Sequence, residues 1–197
     1  MKKITVFLLF LFGAVFAVAQ EAPKIEVFGG YQYTNVDTKG LTNRLSFNGW
    51  DADVAAHLTP NFSIVGDVSG AYKTDTLDFG GLGLASSKLR LYNYLFGPRI
   101  SASSGKLTPF AEALFGVGHA TVGGSVIGLG STNLGSNTGF AMALGGGVDL
   151  NASPHFAIRL AKFDYLMNRF NNNIFGVNAG SENLNNYRVA SGIVFKF

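Results

Sequence analysis

The sequence has 197 residues, with 15 Lys and Arg against 12 Asp and Glu, and no cysteine. Hydrophobic residues make up 47% and charged residues only 14%, with 26 glycines. This balance excludes a disordered chain, a disulfide-stapled secreted module and a basic nucleic-acid surface.

Met1-Lys2-Lys3 is a short basic leader, followed by an apolar run from Ile4 to Phe16. Ala17-Val18-Ala19 fits the small-x-small cleavage rule. Residues 1–19 therefore read as a cleaved signal peptide, and 20–197 as one exported domain. Removing Lys2 and Lys3 takes the net charge from +3 to +1. Beyond the leader no apolar run approaches the ~20 residues of a membrane helix. An apolar exported chain of this kind must place its hydrophobic residues on β-strands, in a membrane barrel or in a soluble barrel or sandwich.

The strands follow from a period of two. Lys24 to Tyr33 alternates, with Ile25, Val27, Gly29, Tyr31 and Tyr33 against Glu26, Phe28, Gly30 and Gln32. Residues 34–47 are polar and read as a long loop. Gly49 to Leu58 sets Trp50, Ala52, Val54, Ala56 and Leu58 against Asp51, Asp53 and His57. Thr59-Pro60-Asn61 is a tight turn, where Pro fixes φ. Phe62 to Tyr72 sets Ile64, Val68 and Tyr72 against Val65, Asp67 and Ser69.

Residues 73–88 form a second long loop. Leu89 to Ile100 then opposes Tyr92, Tyr94, Phe96 and Ile100 to Asn93, Gly97 and Arg99. After a short Ser/Gly turn, Thr108 to about Ala120 carries Glu112, Gly116 and Gly118 on one face. A third loop covers 121–138. Gly139 to Asn151 opposes Phe140, Met142, Leu144, Val148 and Leu150 to Gly145, Gly147 and Asp149. Pro154 marks a tight turn. Phe156 to about Tyr165 pairs Ile158 and Leu160 against Arg159 and Ala161. Lys162 and Asp164 then fall on the apolar side, which predicts a bulge near Phe163 or the membrane boundary there. A fourth loop covers 166–185. Tyr187 to Phe197 alternates to its last residue.

Eight strands joined alternately by long and short connections give the wiring of an antiparallel up-and-down transmembrane β-barrel. The aromatics support it. Tyr31, Tyr33, Trp50, Tyr72, Tyr92, Phe140, Tyr165 and Tyr187 gather near the long-loop end, while Phe62, Phe96, Phe156, Phe195 and Phe197 gather near the short turns. Two girdles on a lipid-facing surface are the expectation. The opposite face carries Glu26, Asp51, Asp53, Asp67, Arg99, Glu112, Asp149, Arg159, Arg188 and Lys196. Such charges do not suit the apolar cavity of a soluble ligand-binding barrel.

The segments Val27-Phe28-Gly29-Gly30-Tyr31, Tyr94-Leu95-Phe96-Gly97-Pro98-Arg99 and Gly192-Ile193-Val194-Phe195-Lys196-Phe197 resemble the small eight-stranded outer-membrane barrel family, the transmembrane part of OmpA-type proteins. The resemblance implies the outer membrane of a Gram-negative type bacterium, with lipid and lipopolysaccharide as surroundings. It implies that Ile193, Phe195 and Phe197 are the C-terminal signal read by the barrel-assembly machinery. The OmpA-type peptidoglycan-binding domain has no counterpart here.

For function, the inward charges could line a channel or fill the lumen. Eight strands leave an interior just wide enough for side chains, which favours a plug of ion pairs. Gly116, Gly145, Gly147 and Gly192 are expected to make room for the arginines. No Gly-x-Ser-x-Gly or His-Glu-x-x-His pattern occurs. No catalytic residue, cofactor or metal is expected, although His119 beside a loop serine could imitate a lipid-modifying barrel. The long loops are the place for a binding function, with apolar Leu77, Phe79, Leu82, Leu84, Ile174 and Phe175 expected to pack as a lid or, alternatively, to meet a hydrophobic ligand. The reading is a monomeric structural or surface-interaction protein that binds no nucleic acid. Passage of small or apolar solutes is the alternative.

Overall fold

The computed structural model describes residues 25–37, 44–78, 84–126, 130–170 and 182–197. Eight strands follow in order: β1 (Ile25–Val36), β2 (Leu45–Thr59), β3 (Phe62–Asp78), β4 (Leu84–Ser101), β5 (Leu107–Val126), β6 (Gly130–Ser153), β7 (Phe156–Phe170) and β8 (Glu182–Lys196). Each pairs antiparallel with its chain neighbours, and β1 pairs with β8 to close the barrel. The chain is an all-β, eight-stranded antiparallel barrel. The three short connections lie at the same end as Ile25 and Phe197. The predicted signal peptide lies outside the described residues, as do Phe79, Leu82, Ile174 and Phe175 of the predicted lid.

The alternation seen in the sequence becomes two surfaces. Outward positions such as Tyr31, Val54, Phe96, Val117, Leu144 and Phe195 are exposed, while inward positions such as Phe28, Asp53, Leu95, Leu114 and Arg188 are buried. Apolar side chains outside and buried polar ones inside suit lipid around the barrel. In water the arrangement would be reversed.

The strands run further toward the long loops than the predicted boundaries. β2 begins at Leu45 rather than Gly49, β4 at Leu84, and β6 at Gly130. Residues 34–36, 45–48 and 166–170 read as loop because their polar residues break the apolar face. The structure explains why they are strand. Beyond the girdle the outer face meets water, so polar outward residues such as Asn35, Ser46 and Asn48 cost nothing there. The apolar residues change sides: Val36, Phe47, Leu91 and Phe170 point inward and pack together, with Leu45, Leu89, Ala120 and Leu184 against them. β6 is the longest strand at 24 residues. At ~3.4 Å per residue and a ~45° tilt it rises roughly 57 Å, about twice the ~25 Å apolar band.

The bulge in β7 also differs from expectation. It lies at Leu160–Ala161 rather than near Phe163, since Arg159 pairs Gly192 but Lys162 pairs Ala190. Both Leu160 and Ala161 face outward, and the extra residue returns Lys162 and Asp164 to the lumen, fully buried. Leu160 and Ala161 oppose Ser191, whose hydroxyl donates to the Arg159 carbonyl at 3.0 Å.

The closing seam holds to its last residue. Ile25 N–H donates to the Phe197 carbonyl at 3.1 Å, and Phe197 N–H to the Ile25 carbonyl at 2.8 Å. Glycines let the tightly bent strands approach. A Cβ on Gly116 would collide with the carbonyl oxygen of Tyr94, and one on Gly49 with that of Gly70.

Candidate functional site: the filled lumen and the outer rim

The lumen can be followed from the end that holds the short turns. At its mouth, Glu26 lies between His57 Nε2 at 3.2 Å and Lys196 Nζ at 3.1 Å. Lys196 also donates to Asn151 Oδ1 at 2.8 Å. β1 and β8 bring Glu26 and Lys196 together because the two residues are register partners at the seam.

Above this mouth two arginines stack on aromatic rings. Arg159 lies 4.3 Å from the Phe28 ring centre and 4.5 Å from that of Phe110, and Arg99 lies 4.6 Å from Phe110. Arg159 forks onto both oxygens of Asp149, at 2.8 and 3.1 Å, and reaches Asp53 at 2.6 Å. Arg99 donates to Glu112 at 2.7 Å and to Asp53 at 3.0 Å. Planar guanidinium groups suit this because one face stacks while the edge makes bidentate bonds.

The next layer centres on Lys162. Its Nζ lies 2.7 Å from Asp67, 3.2 Å from Asp51 and 3.2 Å from Glu112, with Asp53 and Asp164 at 3.6 and 3.9 Å. Arg188 donates to Asp164 at 2.7 Å, to both oxygens of Asp67 at 3.0 Å and to Ser69 at 3.1 Å. Seven strands, β2 to β8, supply the charged network as a whole. Among the described residues it joins six carboxylates (Asp51, Asp53, Asp67, Glu112, Asp149, Asp164) to four cations (Arg99, Arg159, Lys162, Arg188).

Lys162 and Asp164 were absent from the predicted lumen set. The bulge hid them, because strict alternation assigns both to the lipid side. A charge pair at i and i+2 on an otherwise apolar face is the signal that could have placed them. The glycines act less directly than expected. A Cβ on Gly145 would strike the Asp164 carboxylate, and one on Gly147 would come within 2.7 Å of the Phe110 ring. Gly116 and Gly192 meet neighbouring backbone rather than arginine side chains.

Two further layers close the external side. Asn186 donates to Asn168 at 3.0 Å, and Asn168 to Asn93 at 2.8 Å, all three buried. The apolar layer of Val36, Phe47, Ala71, Leu91 and Phe170 caps them.

On the outer surface the predicted girdle residues Tyr31, Tyr33, Trp50, Tyr72, Phe140 and Tyr187 are exposed, and Tyr92 and Tyr165 are half-buried. Their polar tips are held. Trp50 Nε1 donates to the Tyr72 hydroxyl at 3.0 Å, Tyr31 to Asn48 at 2.5 Å and Tyr165 to Asn185 at 2.7 Å. Tyr72 and Tyr92 meet edge to face at 5.8 Å. Arg44 stacks 4.9 Å over Tyr187. At the other end Phe156 and Phe195 meet at 5.9 Å, Ile193 lies outward, and Phe197 is exposed. His119 is bonded by two threonine hydroxyls, Thr138 at 2.7 Å and Thr121 at 3.3 Å.

No family model matches the chain, and no curated protein matches it in sequence. Solved structures do match. Ail, the attachment invasion locus protein of Yersinia pestis, determined in complex with the heparin analogue sucrose octasulfate, superposes with a TM-score of 0.62 at 16% identity, covering 90% of this chain and 100% of that one. Neisserial surface protein A gives 0.60 at 11% identity, over 90% and 98%. The outer membrane protease OmpT from Escherichia coli gives 0.50 at 8% identity, over 92% and 100%. At these identities the likeness establishes the fold, that of the small outer-membrane barrels.

Proposed function

We propose that this protein is a monomeric outer-membrane barrel of a Gram-negative type bacterium, and that it works as a structural or surface-interaction component. The observation that carries this reading is a lumen filled by successive charged, amide and apolar layers, beneath strands that extend well past the girdle. A filled barrel has its rim and loops, not its interior, to offer a partner. The surface proteins among the structural neighbours support the same reading. Export by residues 1–19 and assembly through Ile193, Phe195 and Phe197 complete it.

Cell fractionation with gel mobility before and after heating tests the proposal. The expected result is a membrane-fraction protein whose unheated form migrates differently from its heated form. A soluble periplasmic protein with one mobility would overturn it. The second reading, entry of small apolar solutes, draws on the apolar layer at the external mouth. Proteoliposome uptake of such solutes above protein-free vesicles would favour that reading over the first.

A further inference from the structure

The outer face of the barrel is asymmetric in charge. Below the Tyr/Trp girdle the described outward residues of the strands are apolar or small, such as Val27, Val54, Phe96, Ile100, Leu160 and Phe195. Above it, cations appear. Lys88 and Arg90 are both exposed, two residues apart on the same face of β4. Successive same-face positions on a strand lie about 7 Å apart, a spacing at which two cations can bracket one anionic group. Arg90 faces Tyr72 on β3 and Thr121 on β5, and Lys88 faces Thr74 and Gly123. Small and hydroxyl residues thus leave the cations uncovered and add donors beside them. No carboxylate among the described residues forms an ion pair with either cation.

We infer that Lys88 and Arg90 form a binding site for a phosphorylated lipid headgroup of the external leaflet. The inference rests on the outer-membrane reading above. Phosphate is favoured because a guanidinium offers it a bidentate edge and an ammonium adds a point charge. The membrane, rather than a soluble anion, is the source because of placement. Tyr72 and Tyr92 lie in the girdle; Arg90, beside Tyr72 and one outward position past Tyr92 on β4, lies at its upper edge, and Lys88 one row further out, at headgroup level. A lipid seated there runs its acyl chains down over Tyr72, Tyr92 and Trp50.

Trp50 is the sole tryptophan, and its Nε1 touches the Tyr72 hydroxyl at 3.0 Å, so its fluorescence reports on this site. The protein is refolded into phosphatidylcholine vesicles, with insertion verified by heat-dependent gel mobility. Quenching of Trp50 by brominated phosphatidate is compared with quenching by brominated phosphatidylcholine at equal mole fraction. Two interfacial cations should enrich the phosphatidate on the order of tenfold. The preference should fall to parity in Lys88→Gln/Arg90→Gln and weaken with added salt. Equal quenching by the two lipids, or an unchanged preference in the double variant, would overturn the site. Displacement of the phosphatidate by inorganic phosphate or sucrose octasulfate at matched ionic strength would overturn the lipid assignment in favour of a soluble anion. Failure to insert would instead sink the outer-membrane reading, and the site with it.

Discussion

Lys162 holds together carboxylates that would otherwise repel one another. Asp51, Asp67 and Glu112 all lie within 3.2 Å of its Nζ, on strands that are not all neighbours. Coulomb repulsion among buried carboxylates is weakly screened, and a buried charge left without its partner costs about 3–5 kcal/mol. Lys162→Met should therefore lower stability by about that amount, read from the urea midpoint of the barrel in detergent micelles. Phe163→Leu is the matched control, because Phe163 is 52% exposed on the lipid side. It should shift the midpoint by less than ~1 kcal/mol. Equal effects of the two substitutions would mean that the network contributes nothing beyond side-chain volume. Gly145 is the complementary case. Gly145→Val places atoms where the Asp164 carboxylate sits, and a lower yield of the heat-sensitive folded band is expected.

At the scale of the element, the β7 bulge decides which way the rest of the strand points, from Lys162 to Phe170. Deleting Ala161 would restore strict alternation, turning Lys162 and Asp164 toward lipid or shifting the register against β8. A Lys at the bilayer midplane on the lipid face costs roughly 2–4 kcal/mol, and a one-residue slip reverses every side chain beyond it. The deletion should abolish the folded band, while Ala161→Leu, which adds only lipid-facing volume, should fold. A deletion variant that folds normally would show that the bulge is dispensable. The seam makes a second prediction. Phe197 forms two backbone hydrogen bonds with Ile25 and exposes its ring. Its deletion removes at most ~2–3 kcal/mol of burial. If Phe197 is also read during assembly, membrane-inserted protein in cells should fall far more than refolding yield in vitro. Parallel losses in the two measurements would leave Phe197 a purely structural residue.

At the scale of the whole molecule, the lumen is closed in series. Arg99, Arg159 and Lys162 fill the charged layers, three asparagines bridge the next, and Phe47 and Phe170 help cap it. Planar-bilayer recording should show no steady large conductance. Opening the cap alone, with Phe47→Ala and Phe170→Ala together, should not create one, because the charged layers below remain. A steady ohmic current in the double variant would place the barrier at the cap instead.

The architecture was legible in the sequence because a lipid-facing strand repeats every two residues, and hydrophobicity records that period directly. Trp50 and Phe140, facing out, and Asp53 and Arg99, facing in, fall where their parity puts them. So did the order of strands, since Pro60 and Pro154 mark tight turns. Strand ends were not legible, because the apolar face changes sides where water replaces lipid, and Phe47 and Phe170 then look like irregular loop. Nor were Lys162 and Asp164, because a single inserted residue shifts parity and only pairing with β6 and β8 shows where. The sequence by itself determined that charges alternate with lipid-facing side chains through eight strands. Only the tertiary structure decided which acid meets which base, because the partners come from distant strands and meet when the barrel closes.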